Sequence, residues 1–141
     1  MPESITAQAP YEFSLPGNST ETGNLHFWEN LEIFPDGIQR CFWISGVQEG
    51  ETRGNHAHWK ESQVLVAVAG SVLLKINSVQ GELYHFELNS PDQAVYIPPL
   101  NWLVVSFSPK AVLLGMSDLA FSEDDYIRDL QYFEKLQKRT T

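Results

Sequence analysis

His56 and His58 are separated by one residue, and on a β-strand positions i and i+2 face the same way. Two imidazoles that point together can bind a divalent metal, since imidazole is its commonest protein ligand. They can instead move protons, as a base and acid that titrate near neutral pH. Gly50 and Gly70 flank the pair, with Arg53 before it and Gln63 after it. A lone histidine is usually a surface or satisfied core residue. A pair at this spacing, with glycines in register, points to a site.

The rest of the chain sets what can hold such a site. The 141 residues are the size of one domain, and 43% hydrophobic with 19% charged content is enough for one sizeable core. The 12% aromatic content suits a β-rich fold or a ring-lined pocket. Nine basic residues against eighteen acidic ones give a net charge of -9. That balance argues against nucleic acid and against an anionic membrane surface as partners. A small anionic ligand stays open, because a few placed arginines can overrule the global field. Cys41 is alone, which excludes an internal disulfide and a thiolate metal cluster; it is expected as a small buried residue. The N-terminal residues show no basic segment followed by a long apolar run, and no stretch approaches a membrane span, so the cytoplasm is the expected compartment.

Residues 1–19 are polar and carry Pro2, Pro10, Pro16 and Gly17, which reads as a loose arm ahead of a single domain over 20–141. From Leu25 onward the pattern is one of short strands. Leu25–Leu31 precedes a turn at Pro35-Asp36-Gly37, and Ile38–Ser45 follows it. His56 opens a strand region that runs into Val64–Ala69, and Val72–Ile76, Glu82–Leu88, Ala94–Ile97, Leu103–Phe107 and Ala111–Met116 complete the series. Many short strands with turn signals between them mean a sandwich or barrel. At the end, Ser122 with Asp125 resembles a capping box, and acidic residues precede basic ones. Ile127, Leu130, Phe133 (or Glu134) and Leu136 form an apolar stripe, predicting one helix over about 122–137.

The spacing of Gly50, His56, His58, Gln63 and Gly70 is similar to the first cupin motif, with Gln63 where that motif has a glutamate. The resemblance implies an all-β double-stranded β-helix, a jelly-roll barrel, carrying one C-terminal α-helix. It also implies that His56 and His58 stand where other cupins hold a metal. The second cupin motif falls on residues 98–103, and its histidine ligand falls on Leu103. Leucine cannot coordinate, and a two-histidine site without an anionic ligand holds a divalent ion weakly. A metal-free pocket, with no cofactor and with the histidines free to move protons, is therefore expected.

A more specific resemblance follows from Arg53-Gly54-Asn55-His56-Ala57-His58, Gln63–Val66, Leu88–Pro91, Tyr96–Pro99, Trp102 and Glu123–Arg128. These blocks resemble the WxcM-like sugar 3,4-ketoisomerases, over roughly residues 20–136. The resemblance implies metal-independent isomerisation of a nucleotide-linked 4-keto-6-deoxy sugar to the 3-keto sugar through an enediolate, in the synthesis of deoxyamino sugars for cell-surface glycans. It implies a homodimer with exchanged N-terminal strands. It gives His56 as the base, His58 as the proton relay, and Arg53 as the motif arginine. Gln63 and Tyr96 lie in matched blocks and join the candidate substrate contacts. Thymine needs a stacking ring, which Trp102 or Trp59 could supply, and the diphosphate needs guanidinium, from Arg53 or Arg40. The alternatives are barrel-wall packing for either tryptophan and a surface ion pair for Arg40. The chain departs from the family at Thr22, Phe42, Trp43, Asn55, Trp59 and Leu103. Two other readings stand beside the isomerase. One is a cupin that binds a sugar nucleotide or similar ligand without turnover; the other is a metal-dependent cupin enzyme.

Overall fold

The computed structural model of the protein describes residues 5–29 and 32–139. Asn30 and Leu31, at the end of the expected Leu25–Leu31 strand, lie outside the described residues, as do residues 1–4. In chain order the strands are β1 (Tyr11–Ser14), β2 (Gly17–Thr20), β3 (Gly23–His26), β4 (Arg40–Ile44), β5 (Thr52–His58), β6 (Gln63–Ala69) and β7 (Val72–Ser78). Then come β8 (Leu83–Leu88), β9 (Gln93–Ile97), β10 (Asn101–Phe107), β11 (Val112–Ser117), the two-residue β12 (Tyr126–Ile127) and helix α1 (Leu130–Arg139). Two five-stranded antiparallel sheets face each other, in the orders β1-β9-β6-β11-β4 and β12-β5-β10-β7-β8, and β2 and β3 form a separate hairpin.

The barrel interior is apolar because alternate residues of each strand point inward. Leu65, Leu74, Ile76, Val95, Leu103, Val105 and Leu113 meet there. From Val64 to Ala67 β6 is hydrophobic at every position because both its faces are covered there: Val64 and Val66 turn outward against Phe13, Leu15 and Trp28 from the N-terminal segment. The expected loose arm is thus partly ordered, since β1 pairs with β9. On the other sheet, α1 lays Phe133 and Leu136 over the outward residues Ala57, Trp102 and Ile127.

The tail corrects the expected helix over 122–137. Residues Glu123–Asp125 form a single 3-10 turn and Ser122 makes no side-chain cap. Tyr126 and Ile127 pair as a strand with His58 and Ala57, and the helix begins only at Leu130. Asp129 accepts from the Gln131 N–H in its first turn. Cross-strand pairing at the edge of β5 has overridden a sequence with good helix-start chemistry. Cys41 is also exposed rather than buried, because alternation along β4 turns it outward while Phe42 and Ile44 turn in.

Candidate active site

Five residues of one strand reach a cavity of about 620 Å³ at one end of the barrel. β5 enters with Thr52 and Arg53 opposite Ser106 and Val105 of β10, and then slips register by one residue before His56, which lies opposite Leu103. The slip is a bulge at Gly54 and Asn55, with φ of 91° and 58°. Gly54 is required there, because a Cβ would sit 2.8 Å from the Leu103 carbonyl oxygen. The bulge has a chemical effect. Arg53 and His56 differ in parity and would face opposite ways on a regular strand, yet both lie opposite inward-facing residues, Val105 and Leu103. Beyond the bulge regular alternation returns. His56 and His58 face in and Ala57 packs in the outer cluster under α1, as their spacing predicts.

The two imidazoles stand 4.9 Å apart between centroids, at 82°. His56 Nδ1 lies 3.0 Å from the Gly54 carbonyl, which can only accept, so Nδ1 carries the hydrogen and Nε2 keeps its lone pair. Burial, and then the charge of His58, push the His56 imidazole down to about 4. His58 is more deeply buried, at 6% exposed. Its Nδ1 lies 3.3 Å from Asp125 Oδ2, and its Nε2 lies 3.6 Å from Glu61 Oε2. Burial lowers it to about 4 as well, with Asp125 pulling the other way. Both histidines are therefore neutral at physiological pH.

The tail supplies much of the wall. Asp125 accepts the Lys60 and Glu61 backbone N–H groups at 2.9 and 3.0 Å, which fixes the turn after β5. The Tyr126 ring lies 5.0 Å from that of His56 and 4.3 Å from that of His58. The Arg128 guanidinium stacks 4.1 Å from the Tyr126 ring centroid and pairs with Glu123 at 2.8 Å. Arg40 is not a surface ion-pair residue: it points inward from β4, donates to Glu61 at 2.9 Å, and lies over the Phe42 ring. Gln63 donates to the same carboxylate. Arg40, Arg53 and Arg128 thus ring the cavity, over an apolar floor of Phe42, Leu65, Leu103 and Leu113.

Of the seven candidate residues, five meet here: His56, His58, Arg53, Arg40 and Gln63. Trp102 and Tyr96 do not. Trp102 is 6% exposed and packs against Phe133 under the helix, 5.5 Å between centroids. Tyr96 faces the outer cluster, 5.3 Å from the Tyr11 ring, with its hydroxyl donating to Ser62. Trp59 likewise lies outside, against Tyr132. Glu61, Asp125, Tyr126 and Arg128 are the residues that the sequence argument missed as site groups. The sequence signal for the last three was the Asp125–Arg128 block itself, and Glu61 had none.

A metal does not fit these residues. Ligand atoms of His58, Glu61 and Asp125 lie within 4.8 Å of one another. The two carboxylates, however, face different nitrogens of one imidazole, Asp125 at Nδ1 and Glu61 at Nε2, and so do not converge on one lone pair. His56 faces Leu103, which offers no ligand atom.

Residues 11–138 match the family model FdtA, described as WxcM-like, C-terminal. The chain belongs to this family. It is 34% identical over 116 residues to the TDP-4-oxo-6-deoxy-alpha-D-glucose-3,4-oxoisomerase of Aneurinibacillus thermoaerophilus, covering 80% of this chain and 81% of that one. The sugar 3,4-ketoisomerase QdtA of Thermoanaerobacterium thermosaccharolyticum, in complex with TDP, superposes with a TM-score of 0.85 at 30% identity, over 94% of this chain and 97% of that chain. A histidine-to-asparagine mutant of QdtA, in complex with TDP-4-keto-6-deoxyglucose, superposes with a TM-score of 0.84 at 30% identity, over 92% and 95% of the two chains. The fold is the cupin-type fold of these ketoisomerases, a barrel with one C-terminal helix.

Proposed function

We propose that the protein isomerises a TDP-linked 4-keto-6-deoxy sugar to its 3-keto isomer without a metal. The observation that carries this reading is the orientation of His56. Its Nδ1–H is held by the Gly54 carbonyl, which leaves a basic Nε2 beside a cavity large enough for a sugar. The C3 proton of a 4-ketose is acidified by the carbonyl next to it. His56 takes that proton, the electron pair forms an enediolate, and a proton returned to C4 completes the exchange, with the hydroxyl hydrogen moving from O3 to O4. His58 stands behind His56 as the relay, its Nδ1–H aimed at Asp125. Arg53, Arg128 and Arg40 give the cavity local positive charge in a chain of net charge -9, as a diphosphate requires.

Neutral histidines suit the role, since a base must arrive unprotonated. The rate should be flat through neutral pH and fall on the acid side as His56 is protonated, toward about 4. The deciding assay is proton NMR with TDP-4-keto-6-deoxyglucose in deuterated water. Deuterium at C3 and appearance of the 3-keto sugar support the reading; no uptake above an enzyme-free control sinks it. His56→Asn should lose about 10²–10⁴-fold of the exchange. Phe42 and Leu103, apolar groups on the cavity floor, favour a second reading, a protein that binds the nucleotide sugar without turnover. Tight binding of TDP with no exchange would select it.

A second copy of the chain is the proposed partner. The β2–β3 hairpin pairs only with itself among the described residues and exposes Leu25 at 59%, with Phe27 at 43% just beyond it. Such an apolar edge is covered by exchange between subunits. Light scattering at micromolar concentration should give twice the chain mass, and a monomer mass would refute it. No described helix is long and apolar enough to cross a membrane. We place the enzyme in the cytoplasm, where nucleotide sugars are made, in a route to deoxyamino sugars of surface glycans; fractionation of the source cells checks the compartment.

A further inference from the structure

Beside the histidine pair lies a carboxylate inside the barrel wall. Glu61 is 2% exposed, in the turn between β5 and β6. An ionised carboxylate stays so deep only where cations and donors compensate for lost water. Arg40 Nη2 donates to its Oε2 at 2.9 Å and Gln63 Nε2 donates to the same atom. A third neighbour, His58 Nε2, stands 3.6 Å from that oxygen.

The third neighbour is the informative one. Asp125 Oδ2 faces Nδ1 of His58 and also takes the Glu61 backbone N–H, so it accepts from both. Nδ1 therefore carries the hydrogen, and neutral His58 turns a lone pair toward Glu61, acceptor against acceptor. Protonated His58 turns an N–H toward it instead. The cationic ring is held at both ends, and the neutral ring at one. The other groups facing it are His56 on its own strand, Tyr126, and the guanidiniums of Arg40 and Arg128; these two arginines oppose the cation.

We infer that Glu61 is a positioning residue that gives His58 a place to hold a proton between the two halves of the isomerisation. This rests on the isomerase reading above. When the C3–H bond breaks, its electron pair stays on the sugar as the enediolate and its proton passes through His56 to His58 Nε2. There the new N–H donates to Glu61 until a proton is returned to C4. Nothing is oxidised or reduced beyond the sugar's own internal exchange, and Glu61 gains and loses no atoms. A carboxylate that served only to clamp Arg40 would have no need to face Nε2.

The test has one arm without substrate. In the full chain with ¹⁵N-labelled histidine, the His58 titration midpoint in Glu61→Gln should fall by about one unit or more, a tenfold loss of proton affinity, with the Nδ1–H tautomer kept. Circular dichroism at each pH confirms the native fold. Glu61→Asp, which retracts the charge, should lie between wild type and Glu61→Gln, and it carries the test if the glutamine variant does not fold. In deuterated water with TDP-4-keto-6-deoxyglucose, Glu61→Gln should keep C3 exchange within a few fold while net isomerisation falls about tenfold or more. An unchanged His58 midpoint overturns the inference. So does an equal loss of exchange and isomerisation with a raised KM, which is the signature of a clamp on Arg40. If wild type shows no exchange, the isomerase reading fails instead, and the titration still decides whether Glu61 faces His58 as its counter-charge.

Discussion

Moving from about pH 7 to pH 5 should destabilise the native state, and His56→Asn should remove a measurable part of that loss. Burial first, then the charge of His58, holds the His56 imidazole down to about 4. Unfolding returns it to its ordinary 6.5. Because the folded value is depressed, the stabilisation is complete above about 6.5 and disappears as pH falls toward about 4. Within that window the unfolded chain binds more protons. At about pH 5 an ordinary histidine is almost wholly protonated and one titrating at about 4 is about one tenth protonated. Integrating that difference down from about pH 7 gives about 1.8 kcal/mol for one histidine. His56 lines the water-accessible cavity, which screens it, so about 1–2 kcal/mol is the working figure. His58 contributes with the same sign and is coupled to His56. The assay is urea unfolding at the two pH values, for wild type and His56→Asn, at one fixed protein concentration so that subunit association cancels. The carboxylates other than Glu61 and Glu123, which interact with His56, titrate alike in both chains and drop out of the difference. Wild type should lose about 1–2 kcal/mol more than the variant. Equal losses would refute a neutral, buried His56 and with it the base assignment.

Three further outcomes test the placement of individual residues. Trp102→Ala should cost about 3–5 kcal/mol in chemical denaturation, from its contact with Phe133, and should leave TDP affinity by calorimetry unchanged. Gly115→Ala puts a methyl 2.2 Å from Phe42 Cζ, so the ring must swing toward the cavity or the strands must part. A loss of about 1–3 kcal/mol in thermal melts with a raised KM is expected. Dialysis against a chelator should leave isomerisation unchanged, with sub-stoichiometric metal by elemental analysis, because Gln63 and Leu103 withhold the needed ligands.

Local periodicity made the barrel and the histidine pair readable. Period-two alternation put His56 and His58 on one face, and the unbroken apolar run of β6 required cover on both sides. The same rule, applied further, would have excluded Trp102. Leu103 aligns with an inward ligand position, so its neighbour must point out; the same parity from Ile97 turns Tyr96 away. Three features depend on distant parts of the chain and left weaker traces. The bulge that aims Arg53 inward showed only as Gly54-Asn55 inside a strand. Residues 122–129 carry helix-start chemistry, and only their pairing with β5 makes them a turn and a strand. Glu61 looks like any solvated acid in a polar loop until Arg40, from another strand, is set beside it.

The Tyr126–Ile127 strand also fixes an order of assembly. Strands β4 to β11 hold all the pairings that close the barrel, whereas Asp125 meets His58 across a separation of 67 residues. During synthesis the barrel has its full set of partners before the segment at 123–128 emerges. In that interval His58 lacks Asp125 and Tyr126, and the turn after β5 lacks the carboxylate that fixes it. In a nascent or truncated chain ending near Leu119, His58 would lack its Asp125 partner and both imidazoles would lack the Tyr126 ring beside them. The surroundings of the histidine pair are thus completed by the last segment of the site to be synthesised.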